Sequence, residues 1–183
     1  MSGDDPDPAP DPGPSPPRAL LDVMCGKLAT YLRMCGYDAA YALDRGIEDD
    51  DRLLSLSAAE GRTLFTRDRE LASRADDALC LTERDVLDQL REVAAAGYPV
   101  ELAAEPTRCG ACNGPVERVG SGGNAGVDRP EYVPDDVGPE PSGDDTDSAA
   151  TSDGRPAWRC RDCGRWFWKG GHWDDVAARL ETL

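Results

Sequence analysis

Two cysteine pairs, CGAC at Cys109 and Cys112 and CRDC at Cys160 and Cys163, constrain this chain more than any other feature. Two residues between paired cysteines let one tight turn aim both thiolates at the same point. Two such knuckles therefore supply the four sulfurs of a tetrahedral zinc site. The gap between the pairs is long for a ribbon, but closure entropy grows only with the logarithm of loop length, so a metal clip tolerates it. Disulfides and redox-active thiols are the competing readings. Cytosolic character speaks against the first, and neither pair sits in the thioredoxin-like setting that the second requires. A structural zinc is expected on Cys109, Cys112, Cys160 and Cys163. Cys25, Cys35 and Cys80 have no such partners, lie in apolar surroundings and are expected as small core residues.

The stretch between the knuckles, residues 120–154, is glycine-rich and carries nine acids against Arg129. Residues 1–17 hold four aspartates, no base and a run of prolines. Both are too poor in apolar residues to offset the entropy of ordering. The first is expected to be a solvated, disordered loop and the second a disordered, proline-stiffened acidic tail. Together they hold most of the formal net charge of -16. Lys27 and Lys169 are the only lysines, against eighteen arginines. That bias, with the abundant aspartate, fits a halophilic chain, so the acidic total speaks of solubility rather than of partners. No run approaches the roughly 18 apolar residues of a membrane span. The tail has neither the basic nor the apolar region of a secretory signal, so a cytoplasmic protein with no membrane partner is expected.

Residues 18–105 alternate between short apolar runs and longer periodic ones. RALLDVM, DAAYAL, TLFT and ALCL read as strands. GKLATYLRMCG reads as a helix stopped by Gly36, EDDDRLLSLSAAEG as one stopped by Gly61, RDRELASRA as a third, and Thr82 to Ala96 as a fourth with Val86, Leu87, Leu90 and Val93 inward. Four strand–helix units predict an α/β domain with a parallel sheet covered on both faces, and ligands gather at the carboxyl ends of such strands.

That rule singles out acids. Asp22 closes the first strand, Asp68 follows the third, and Asp49, Asp50 and Asp51 begin the helix after the second. Convergence there would hold one or two magnesium or manganese ions, which prefer oxygen ligands and keep waters for a phosphodiester substrate. Simple helix capping is the competing role for each of these acids. A phosphatase of the haloacid type would need a second aspartate where DVM places Met24.

LLDVMCGKLATYLRMCGYD, DDRLLSLSAAEGRTLFTRDREL and the paired cysteines ending in WKGGHW together resemble the Mut-seven C-terminal RNase family, a PIN-like nuclease domain joined to a zinc ribbon. The resemblance covers roughly residues 19–119 and 156–176. It implies a PIN-like domain over 18–105, a zinc ribbon over 106–183 interrupted by the acidic loop, and a metal-dependent ribonuclease site on Asp22, Asp68 and Asp50 or Asp51. It further places Lys27, Arg33 and Arg67 at basic positions suited to the RNA backbone, with surface ion pairs as the alternative. Asp85 is the candidate for a fourth acid, or else a helix start.

WRCRDCGRWFWKGGHW, residues 158–173, holds all four tryptophans and the sole histidine. Rings and arginines together offer stacking faces and phosphate contacts for single-stranded RNA. Alternation puts Trp166 and Trp168 on one strand face and Phe167 on the other, so at least one set is expected to pack inward. His172 is expected to be structural, since four thiolates already fill a zinc site. The resulting expectation is a ribonuclease acting on single-stranded RNA with a ribbon that aids docking or binding; the alternative is a non-catalytic RNA-binding scaffold.

Overall fold

The computed structural model describes residues 18–120, 129–138 and 155–183. The acidic tail of residues 1–17 lies outside the described residues, as does most of the 120–154 loop. Strand and helix alternate as β1 (Ala19–Leu21), α1 (Gly26–Met34), β2 (Ala39–Tyr41), α2 (Asp50–Glu60), β3 (Thr63–Thr66), α3 (Arg69–Arg74), β4 (Ala78–Cys80) and α4 (Val86–Ala95). The strands form one parallel sheet in the order β2-β1-β3-β4. Ala19 stands beside Ala39 on one side and Thr63 on the other. Because the order reverses between β1 and β3, their carboxyl ends flank a crevice suited to a ligand.

Every residue of β1 and β3 is buried, as strands covered on both faces must be. Leu20 and Leu64 point to one side, against Ile47, Leu53 and Leu71. Leu21 and Phe65 point to the other, against Leu28, Leu32, Leu90 and Val93. Cys25 and Cys35 belong to that second core. Cys80 does not share their burial: β4 pairs with β3 alone at the sheet edge, and its last residue is exposed.

Two boundaries shift for local reasons. The first strand ends at Leu21 because the Asp22 carboxylate accepts from the Val23 N–H and turns Val23–Cys25 into a single 3-10 turn. The fourth helix starts at Val86, because the Glu92 carboxylate takes the N–H groups of Thr82 and Glu83 and pulls that stretch into a loop.

Beyond the sheet domain, β5 (Val116–Arg118), β6 (Ala157–Cys160) and β7 (Trp166–Trp168) form an antiparallel sheet. Residues 129–138 correct the expectation of a solvated loop over their part of the stretch. Val133 and Val137 pack with Val119, Ala157 and Trp166, and the Tyr132 hydroxyl accepts from the Trp166 N–H at 3.1 Å. Two valines and a tyrosine in an acidic run are enough to cover one face of a three-stranded sheet. Trp166 is buried there and Trp168 half-buried beside it, while Phe167 faces the other way.

The chain then forms a helix that the sequence reading did not anticipate, α5 (Gly171–Leu180). Val176 and Leu180 enter the same core as Leu28, Tyr37 and Leu90. The ribbon is thus inserted between the sheet domain and that domain's last helix, which crosses the boundary expected at residue 106. Among the described residues no helix is long and apolar enough to cross a membrane.

Leu180→Ala should lower stability by about 2 kcal/mol, the low end for a large aliphatic residue truncated in a core. A urea titration followed by far-UV circular dichroism checks this. An unchanged midpoint would mean that α5 does not contribute to the core.

Candidate active site and metal centre

TLFT places two apolar residues, Leu64 and Phe65, between two buried threonines, and the hydroxyl of the second, Thr66, is fully buried. The Thr66 hydroxyl donates to Asp22 Oδ2 at 2.8 Å and accepts from the Asp68 N–H at 3.0 Å. Asp22 is itself buried, with Oδ1 taking the Val23 N–H at 2.5 Å. Asp68 uses Oδ1 to cap α3 through the N–H groups of Glu70 and Leu71. Both acids therefore stand just past the carboxyl ends of β1 and β3, where the Asp22 carboxylate and the Asp68 backbone N–H share the Thr66 hydroxyl. Their carboxylate oxygens suit a hard cation, since Asp68 Oδ2 has no partner among the described residues and each Asp22 oxygen accepts only one hydrogen bond.

The other acids are not drawn in as closely. Asp49 caps α2 through the Arg52 N–H, and Asp85 caps α4 through the Leu87 N–H. Asp50 is exposed and has no partner among the described residues, while Asp51 is exposed and paired with Arg74. Among the described residues, no group of three carboxylates has its oxygens within 4.8 Å of one another. The Cys25 thiol beside Asp22 is pushed up to about 12 by burial and then by the aspartate charge, so it stays protonated.

The three basic positions separate sharply. Lys27 is exposed in the first turn of α1, and Arg67 is half-buried next to Asp68 with Nε buried and without a hydrogen-bond partner among the described residues. Arg33 corrects the expectation of an RNA contact. It is 3% exposed, and its guanidinium donates to the carbonyls of Ala39, Gly110 and Ala111 and to Asp44. No donor face is left for a phosphate.

The four knuckle cysteines do come together. Cys109 and Cys163 sulfurs lie 3.7 Å apart and those of Cys112 and Cys160 lie 3.6 Å apart, with all four within 4.8 Å. A tetrahedral ion with metal–sulfur bonds of about 2.3 Å sets sulfurs about 3.8 Å apart, whereas a disulfide would bring them to about 2.05 Å. The cluster has the dimensions of a metal site such as that of zinc. Gly114 lets the second knuckle close in on the first, since a Cβ there would lie 2.5 Å from the Asp162 carboxylate and force that side chain to turn away.

The family model of the Mut7-C RNAse domain matches residues 17–180. The chain belongs to this family. Neither a curated protein nor a solved structure matches it. Membership in the Mut7-C RNAse domain family points to a nuclease role, with RNA as the substrate.

In this Mut7-C chain the first knuckle is fastened to the amino edge of the sheet. Asn113 sits in the left-handed region at φ 67, where its side-chain amide accepts from the Ala39 N–H at 2.9 Å and donates to Asp38 at 2.6 Å. Asparagine tolerates that conformation better than most residues. Asp38 also takes Arg62 at 3.0 Å and Arg18 at 3.2 Å. Burial works to raise the Asp38 carboxyl, but hydrogen bonds from Arg62 and Asn113 and the charges of Arg62 and Arg108 outweigh it and hold the group well below the usual carboxylate range. Thr66 and Asn113 escaped the sequence reading. A polar residue ending an apolar strand, and an asparagine directly after a knuckle, are the only signals that mark them.

A depressed carboxyl contributes stability above its unfolded value of about 3.9 and loses it as pH falls further. Asp38→Asn should therefore lower stability at neutral pH and flatten the acid limb of the stability curve below about pH 4. Denaturant midpoints across that window decide it, and a parallel downward shift at every pH would exclude the linkage. For the cysteines, metal analysis should find one zinc per chain, and Cys160→Ser should lose it along with the near-ultraviolet signal of the tryptophans.

Proposed function

We propose that this chain is a metal-dependent ribonuclease that hydrolyses single-stranded RNA at the carboxyl edge of β1 and β3, in the cytoplasm, with zinc on the four cysteines as a structural element. The observation that carries this reading is the Thr66 hydroxyl, bound at once to Asp22 and to the backbone of Asp68. A strand-end threonine with that bonding pattern ties the Asp22 carboxylate to the backbone of Asp68 at the rim where an open parallel sheet accepts a ligand. Family membership supports the RNase role.

Asp22 and Asp68 would hold a magnesium or manganese ion, which prefers one or two carboxylates with waters and substrate phosphate completing its shell. When bound, such an ion supplies Lewis acidity, activating water and neutralising charge on the reacting phosphodiester. Thr66 fixes the orientation of Asp22, and the α3 backbone fixes that of Asp68, so neither acid reorganises when substrate arrives. Arg67 and Lys27 would hold the phosphate backbone, Arg67 with the terminal amino groups of its half-buried guanidinium rather than with the buried Nε. Asp50, without a partner among the described residues at the start of α2, remains the acid closest in role to a third ligand, ahead of Asp51 with its Arg74 partner. A non-catalytic RNA-binding scaffold is the second reading, favoured by the absence of a preassembled third carboxylate among the described residues.

Asp68→Asn separates the two. Asparagine still caps a helix, so the fold should hold. Cleavage of labelled single-stranded RNA, with manganese or magnesium at high potassium chloride, should fall about a hundredfold or more. Thr66→Val should weaken cleavage in the same direction, because it leaves the buried Asp22 carboxylate short of a donor. Cleavage indifferent to Asp68→Asn or to chelator would sink the assigned site, and RNA binding without any cleavage would establish the scaffold.

A further inference from the structure

A cavity of about 700 Å³ opens where α1, the first knuckle and the β7–α5 segment meet. Its walls include Met34, Arg108, Arg165, Phe167, Trp168 and Trp173. None of the fourteen lining residues is acidic, in a chain whose net charge is -16. The volume falls in the range of small-ligand sites, roughly 300–1,000 Å³. Phe167, Trp168 and Trp173 are only half-buried, unlike Trp158 and Trp166. The Lys169 ammonium stands 5.6 Å from the centroid of the Trp173 ring and steadies it. Arg165 is exposed and has no side-chain partner among the described residues. Gly170 and Gly171 also line the cavity at the start of α5, where Gly170 offers no side-chain cap.

One face of α1 runs from the cavity toward the acids. Lys27, Thr30 and Met34 follow the i, i+3, i+7 spacing that shares one helix face. Thr30 and Met34 line the cavity, and Lys27 lies in the first turn, directly after the Asp22 turn. At 1.5 Å per residue, Met34 to Lys27 is about 10 Å along the helix, a length that a few nucleotides span.

We infer that this cavity seats a base of single-stranded RNA against the half-buried rings that line it, Trp173 among them, with Arg165 taking its phosphate, and that the strand continues along α1 past Lys27 to Asp22 and Asp68. The inference rests on the ribonuclease reading for its occupant. Stacking also suits a protein at high salt: the Debye length is about 3 Å at 1 M, which removes long-range attraction, while ring contacts are little affected.

All four tryptophans lie in residues 158–173, so intrinsic emission reports on this region. In an Asp68→Asn background that prevents cleavage, titration with a single-stranded oligoadenylate at high potassium chloride should quench that emission. Trp173→Ala should weaken binding about tenfold or more, and Trp173→Phe should restore most of it, with zinc content unchanged. Arg165→Gln, on an exposed side chain that the fold does not use, should weaken binding and reduce its salt dependence. RNA binding with no change in emission, or unaffected by both Trp173→Ala and Arg165→Gln, overturns the inference. So does a synthetic peptide of residues 1–17 that shifts the emission where RNA does not, since it would give the cavity to the proline-rich tail. Failure here leaves the Asp68→Asn cleavage result standing, whereas quenching by RNA with no cleavage in the wild type would sink the nuclease reading and keep the cavity.

Discussion

The buried Arg33 guanidinium joins two parts of the molecule that have no continuous sheet between them. Its donors reach one carbonyl at the amino end of β2 and two in the first knuckle, 77 and 78 residues further along the chain. Such a cation is costly to desolvate, and it persists because every direction it points in offers an acceptor and Asp44 balances its charge. Asn113 repeats the join from the other side, giving the edge of β2 the acceptor that a further strand would have supplied. The position of the ribbon, the cavity beneath it and the path of α5 all follow from this seating.

Seating the ribbon at the amino edge leaves the carboxyl edge open. Metal held by thiolates and metal held by carboxylates would then occupy opposite ends of the α1 helix. That separation is chemically sensible. Soft sulfur ligands and hard oxygen ligands select different ions, and distance between the two sets keeps a structural ion from competing for a catalytic position. Thr66 can serve the carboxyl edge because β1 and β3 are adjacent and in register, Leu21 beside Phe65. A slip of one residue between these strands would turn its hydroxyl away from Asp22.

The parallel sheet was legible because β1 and β3 are short, apolar and bounded by helix-starting acids and a helix-stopping glycine. Those signals are local. The knuckles were legible because spacing alone fixes their geometry. Arg33 was misread as a phosphate contact because one-dimensional pattern cannot distinguish an arginine facing solvent from one facing a knuckle nearly eighty residues away. Residues 129–138 were misread because composition averages over a stretch, while Val133 and Val137 act as individuals against Trp166. The final helix was hidden by its start: KGGHW suggests a turn, and the apolar face that identifies α5 rests on few residues, among them Val176 and Leu180.

Insertion of the ribbon before α5 has a consequence for biosynthesis. A ribosome delivers the sheet and its first four helices long before residues 171–180 emerge, so the nascent domain carries an open seat where Val176 and Leu180 belong. Domains generally mature as units in the order of their release. Here the core of the first unit is completed only by residues that leave the ribosome after both cysteine pairs, so its packing waits on the segment that carries the second knuckle.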